Sequence, residues 1–260
     1  MTAFTYYLFS TRNELIKLKK TFAFWLSIIS ALIVPLLSLV IGFFKTKMLI
    51  PGEGVNPWDD FMMKQITSAI PFLVPMFIVL FTSLILQIEH KSFGMKHLFS
   101  LPIPKWSIYF GKLSVVLFSV VGTYAYFFVA ILISGGLLGF VHPELRFLDM
   151  QPDYLANVKL LGTSFIASLG IVGIQFWMSF RFKNFIAPLG VGMTLVVVGL
   201  IISRDPDSIY FPYAYNVMSI SMGDTVPLLY GFSRISIYSL SCFVIVSILG
   251  YLDIKRLNVH

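Results

Sequence analysis

The sequence predicts an all-α integral membrane protein. It has six transmembrane helices, an N-terminal amphipathic helix in the membrane interface, and a short cytoplasmic helix between spans two and three. Three observations carry this. First, 57% of the 260 residues are hydrophobic and 12% are charged, against about 25% charged in an average soluble domain. A soluble fold of this size cannot hide so much apolar surface from water. Second, six stretches contain no Asp, Glu, Lys or Arg: residues 21–44, 65–88, 113–143, 160–180, 184–203 and 235–252. Third, the basic residues are unevenly shared between the two sides that these stretches define.

Residues 2–20 come first. Phe4, Leu8, Thr11, Leu15, Leu18 and Phe22 recur at steps of four and three, which is one stripe of an α-helix. Arg12, Glu14, Lys17 and Lys19 lie mostly off that stripe, and Lys20 follows them. The predicted helix lies along the cytoplasmic interface with its basic groups toward lipid headgroups. The plainer alternative is a basic anchor for the first span. The apolar run that follows is too long for a signal-peptide core and lacks a small-residue cleavage site, so it reads as a retained span.

A span needs about 20 residues, because about 30 Å of hydrocarbon is crossed at 1.5 Å per residue. The predicted spans are residues 22–44, 66–88, 113–140, 160–180, 185–203 and 234–252, all within a single transmembrane domain of 1–260. The third is long enough to tilt. Pro35, Pro71, Pro75 and Pro188 fall inside spans, where packing against neighbours tolerates a kink. The outer loop at 204–234 carries two interfacial-looking segments, residues 209–215 and 226–230. Both read as short re-entrant or surface helices, or as a loop packed over the spans.

Six spans place both termini on one side. With the termini inside, twelve Lys and Arg lie on inner segments and seven on outer ones. Three acids, Glu14, Glu89 and Asp253, lie inside and nine outside. Short inner loops favour Lys and Arg, so both ends are expected in the cytoplasm of a cell-membrane protein. Trp25, Trp106 and Trp177 fall near the inner ends of spans, as interfacial anchors do. The net charge of +7 is therefore read as topology, with no nucleic-acid partner.

The loop at 89–112 is basic and aromatic. Residues 89–99 suit a short helix opened by Glu89, where the helix dipole favours an acid. Pro102 and Pro104 then forbid its continuation. Phe93, Met95, Leu98 and Phe99 are its apolar anchors, with Lys91 and Lys96 between them. A short helix clamped between two spans is a handle that a cytoplasmic partner can push. The plainer alternative is an ordinary loop that only fixes topology.

Catalytic motifs are missing. Gly111-Lys112 is the single Gly-Lys pair, with Trp106 in the first-glycine place of a phosphate-binding loop and Leu113 after the lysine. No His-Glu-x-x-His occurs, and Gly162-Thr163-Ser164-Phe165 fails an intramembrane serine-protease pattern at its last place. The four histidines show no metal-ligand spacing, and the lone Cys242 excludes an intrachain disulfide. No catalytic residue, metal site or cofactor is expected on this chain. No span carries a charge near its middle, which argues against a self-powered, ion-coupled carrier. Gln175 and Asn184 are the polar exceptions, and Gly135-x-x-x-Gly139 offers a packing face.

A family resemblance then emerges. Glu14-Leu15-Ile16-Lys17-Leu18-Lys19-Lys20-Thr21, the six spans, and the 89–112 loop with its Ser100-Leu101-Pro102-Ile103-Pro104-Lys105-Trp106 core resemble the membrane subunits of ABC-2 type ABC transporters. The size and the Ser-Leu-Pro-Ile segment are similar to permeases of the lantibiotic-immunity and bacitracin-export kind. The resemblance implies that the loop holds a coupling helix docking on a separate ATPase subunit, which would bind ATP and Mg. It also implies a second permease subunit, identical or paralogous. The expected function is therefore the permease of an ATP-driven exporter of a hydrophobic or amphipathic substrate, whose binding residues the sequence does not mark. The alternatives from other classes are an ATPase-independent transporter or flippase, an intramembrane enzyme, and a membrane scaffold or sensor.

Overall fold

The computed structural model describes residues 2–19, 21–46, 49–50, 52, 54–91, 103–182, 184–221 and 233–256. Lys20, Phe93, Met95, Lys96, Leu98 and Phe99 lie outside them, as does the outer segment 226–230. Among the described residues every regular element is helical. In order they are α1 (Ala3–Leu18), α2 (Phe22–Phe44), α3 (Pro57–Ala69), α4 (Leu73–Lys91), α5 (Lys105–Val141), α6 (Tyr154–Arg181), α7 (Ile186–Ile202), α8 (Tyr215–Ser221) and α9 (Arg234–Arg256). Short 3₁₀ turns at Pro143–Leu145, Pro206–Tyr210 and Pro212–Ala214 fill the connections.

Polarity is inverted relative to a water-soluble bundle. Large apolar side chains face outward along α2 (Trp25, Leu37, Phe44), α5 (Phe118, Ile133, Phe140) and α9 (Ile245, Leu249), whereas buried positions include many serines and threonines. Lipid tails impose no penalty on exposed Leu or Phe, so small and hydroxylic residues go where helices touch. α6 is the central helix and packs against α4, α7, α8 and α9.

Among the described residues four helices are long and apolar enough to cross a membrane, namely α2, α5, α6 and α9. The pair α3 and α4 makes five if it counts as one span bent by 46°. The six-span expectation differs in two places. α7 has 17 residues, or about 25 Å of helix, which is short of a full crossing. The expected span at 66–88 is interrupted at residues 70–72, around Pro71. Residues 65–69 belong instead to α3, which starts earlier because Asn56 caps it and accepts from the Trp58 N–H, with Pro57 in its first turn. Asp59 and Asp60 complement the dipole there.

α5, at 37 residues, is about 55 Å long. The stretch 105–112, expected as the end of the loop, is instead the first two turns of the span's own helix, starting directly after Pro104. Its Gly135 and Gly139 do form a packing face, though not for another span: a Cβ on Gly135 would sit 2.5 Å from the Trp58 ring and one on Gly139 2.9 Å from Phe147. The Trp58 indole N–H donates to the Phe147 and Met150 carbonyls and pins α3 over that face.

The segment after α7 is inserted among the helices, not laid on the surface. Tyr213, Ala214, Tyr215 and Asn216 are buried. Pro212 lies against Gly170 near the middle of α6, and the Tyr213 carbonyl lies against Gly199. A Cβ on Gly199 would meet that carbonyl oxygen at 2.6 Å, and backbone cannot rotate away. Gly199→Ala is therefore expected to cost about 1–3 kcal/mol by overpacking. Gly190→Ala, on the same helix with open space, is expected to be neutral or stabilising by up to about 1 kcal/mol. Paired thermal melts in detergent check this, and equal melting shifts would contradict the insertion.

Candidate functional site

The best-defined polar assembly among the described residues lies where α1 meets the first turns of α5. α1 has two faces, divided otherwise than the stripe predicts. Phe4, Leu8, Phe9, Leu15 and Ile16 are exposed, whereas Thr11 and Leu18 from the same expected stripe are buried in the protein. The face toward α5 is polar. The Tyr7 and Ser114 hydroxyls share a hydrogen bond of 2.6 Å, and Ser10 and Ser107 share one of 2.9 Å. Gly111 permits the approach, because a Cβ there would stand 3.0 Å from Ser10 Cβ and 3.2 Å from the Thr11 nitrogen.

An ion pair closes this zipper. Lys112 Nζ donates to Glu14 Oε2 at 2.5 Å, and Lys17 Nζ donates to Glu14 Oε1 at 2.8 Å. The Lys112 side chain is 1% exposed and that of Glu14 12%. Burial works against the Glu14 charge, but the Lys112 ammonium, helped by Lys17, outweighs it and holds the carboxyl below its usual pKa. A depressed carboxylate contributes stability above its unfolded pKa of about 4.3 and loses it as pH falls through the lower folded value. The stability gap between wild type and Glu14→Gln is thus expected to be flat from neutral pH down to about 5.5 and to close in more acidic buffer. Melting curves of both proteins across pH check this; a gap that widens in acid would contradict it.

The same turns of α5 are held on the opposite side. Tyr109 packs against Phe176 and Phe180 of α6 and Tyr251 of α9, with ring centroids 5.2, 5.7 and 5.9 Å away. Nearby, Asp253 accepts from the Trp177 indole at 3.3 Å and pairs with Arg181 at 3.6 Å. The first turns of α5 therefore sit in a joint between α1, α6 and α9. Of the expected site residues, Glu14 and Lys17 are in this joint, and Arg12 and Lys19 are exposed beside it. Glu89 does not open a separate helix: α4 runs through it to Lys91. Glu89 therefore does not sit in the first turn of a helix, and the dipole argument for it is withdrawn.

Lys112, Ser107, Gly111 and Ser114 are site residues that sequence reasoning passed over. The signal was present: Ser107, Gly111 and Ser114 repeat at helical spacing beside Lys112, which is followed by a long charge-free run. Gln175 and Asn184 are both accounted for. Gln175 donates to the Pro188 carbonyl at 2.8 Å and accepts from the Tyr213 hydroxyl at 3.1 Å, so it ties α6, α7 and the inserted turn together. Asn184 accepts from the Ile186 N–H at the start of α7.

Comparison with known families gives one finding. The family model for ABC-2 family transporter proteins matches residues 11–199. No curated protein and no solved structure matches the chain.

Proposed function

The chain belongs to the ABC-2 family of transporter proteins, a multi-pass membrane transport subunit and not a catalytic one, and from that premise we propose that it is the permease of an ATP-driven exporter. The family match over residues 11–199 is the observation that carries the reading. In this proposal a separate ATPase subunit binds ATP and Mg and docks on residues 89–99, with Phe93, Met95, Leu98 and Phe99 as apolar anchors and Glu89, Lys91 and Lys96 around them. A push on that segment enters α5 at Lys105 and reaches α1 through Glu14 and Lys112. The absence of a phosphate-binding loop in the sequence supports an external engine. Two copies, or one copy and a paralogue, complete the transporter.

The proposed topology has six crossings, with α3 and α4 as one bent span and α7 as a short fifth. The termini are cytoplasmic, and α1 lies along the inner interface with Phe4, Leu8 and Ile16 toward lipid. The substrate is hydrophobic or amphipathic. A peptide-antibiotic substrate rests on the Ser100-Leu101-Pro102-Ile103 segment alone. Two experiments test these points. A reporter fused after His260 is expected to read cytoplasmic, and one inserted at Asp59 or Asp149 external; a cytoplasmic signal at Asp59 would sink the topology. The purified chain is expected to hydrolyse no ATP, and hydrolysis that survives removal of every co-purifying ATPase would contradict the proposal.

A further inference from the structure

α3 turns a polar face outward where its neighbours α2 and α5 turn apolar ones. Trp58, Phe61, Gln65 and Ala69 face the protein. The exposed stripe between them is Asp59, Asp60, Met63, Lys64, Thr67 and Ser68, a continuous band at helical spacing. It ends at the break before α4, where Phe72 is the next exposed residue. Beside it α5 exposes Val129, Ile133 and Leu137, and α2 exposes Ile33, Leu37 and Val40.

Packing against α2 and α5 sets the depth of this stripe. A Cβ on Gly135 of α5 would sit 2.5 Å from the Trp58 ring. Lower down, Ala69 meets Tyr124 of α5 and Ala31 of α2 around one small gap. α3 thus descends alongside α5 over most of its length. Ala31 lies ten residues into the charge-free run 21–44, roughly 15 Å along its helix and near the middle of the hydrocarbon. Ser68 shares that level, and Lys64 stands about 7 Å or less outward of Ala69, still within hydrocarbon depth.

The charges decide what surrounds the stripe. Thr67 donates to the Met63 carbonyl at 2.8 Å and Ser68 to the Lys64 carbonyl at 2.7 Å, which suits lipid and water alike. Lys64 and Asp60 differ. Their side chains pair at 2.6 Å yet are 56% and 57% exposed, so much of each charged group points away from the protein. Lipid tails cannot replace that hydration, and water can. A lysine on its own reaches the membrane surface along its stem. Here the ammonium is held by Asp60 on the same stripe, and the short aspartate stem has no such reach.

We propose that α3 lines a water-filled recess that opens to the outer side and admits polar groups to the middle of the membrane. Its floor is the break at residues 70–72, where the polar stripe ends. The inference rests on the membrane-spanning reading and the outward placement of Asp59 proposed above, but not on the ATPase.

The test uses the whole chain in right-side-out membrane vesicles, in a Cys242→Ser background. A membrane-impermeant sulfonated maleimide is added outside to Thr67→Cys and Ser68→Cys. Ile33→Cys and Val129→Cys, exposed apolar positions near the same depth, are the comparison. Maleimide reacts with the thiolate, which water permits and hydrocarbon suppresses. Thr67→Cys and Ser68→Cys are expected to react at least tenfold faster than the other two. Reaction as slow as at Val129→Cys, or reaction only when the inner side is opened, would overturn the recess and leave the spans intact. Fast reaction at all four positions would overturn the membrane-spanning reading of α2 and α5 and the recess with it. Hydroxyl-radical footprinting of the wild type in lipid nanodiscs needs no substitution. Met63, 45% exposed on the stripe, is expected to oxidise severalfold faster than its buried neighbour Met62. Equally slow oxidation of the two would also overturn the recess.

Discussion

Glu14→Ala is expected to destabilise the protein by about 3–5 kcal/mol, the usual cost of breaking a buried ion pair from one side. It takes the Glu14 carboxylate away from the Lys112 ammonium, which is 1% exposed. Lys112→Met is expected to cost clearly less. Methionine keeps most of the apolar stem, and Glu14, at 12% exposure, retains Lys17. The double variant should recover most of the loss, since an apolar replacement of the whole pair is often neutral or better. A proximity readout separates docking from general stability. In a Cys242→Ser background, Ser10→Cys with Ser107→Cys places two thiols where hydroxyls now stand 2.9 Å apart. Oxidative crosslinking should be near complete with Glu14 present and fall severalfold in Glu14→Ala. Equal crosslinking and equal melting in all variants would show that the pair does not hold α1.

On the coupling proposal, replacing Phe93 and Phe99 together with Asp abolishes co-purification of the ATPase while the permease stays inserted. Interface energy concentrates in a few apolar anchors, each worth about 2 kcal/mol or more. Losing two and burying two carboxylates in their place weakens binding by at least about 10³-fold. Lys45→Ala and Lys47→Ala, on the proposed outer side, should change nothing. A double Asp variant that still binds and stimulates the ATPase would reduce residues 89–99 to a topology signal.

Much of the architecture was legible in the sequence because lipid leaves few options. A backbone in hydrocarbon must satisfy its own hydrogen bonds, so long charge-free runs announce helices, and α2, α5, α6 and α9 stand within those runs or extend them by a few turns. The starts of α3 after Asn56 and of α5 after Pro104 were not anticipated, although cap and proline chemistry account for both. What stayed hidden depends on contacts distant in sequence. The Glu14–Lys112 pair joins residues 98 apart, and nothing local marks Glu14 as a docking group in place of one more interfacial charge. The insertion of residues 212–216 depends on Gly170 and Gly199 being small at matching heights on two helices, which a single helical period does not reveal. The bend at residues 70–72 was half visible, since Pro71 signals a kink but not its size. Glu89 shows the opposite error, where a favourable dipole was assigned to a helix start that lies inside α4.

The central claim is that this chain is a permease driven by an ATPase it does not contain. The most direct measurement is quantitative mass spectrometry of the affinity-tagged full chain, purified in mild detergent from membranes of its native host. The account predicts one ABC ATPase with a Walker motif, in stoichiometric amount, that is retained by the wild type, carries all the ATP hydrolysis of the preparation, and is lost from the Phe93→Asp, Phe99→Asp double variant. A wild-type preparation that transports in vesicles with no such ATPase present would contradict it.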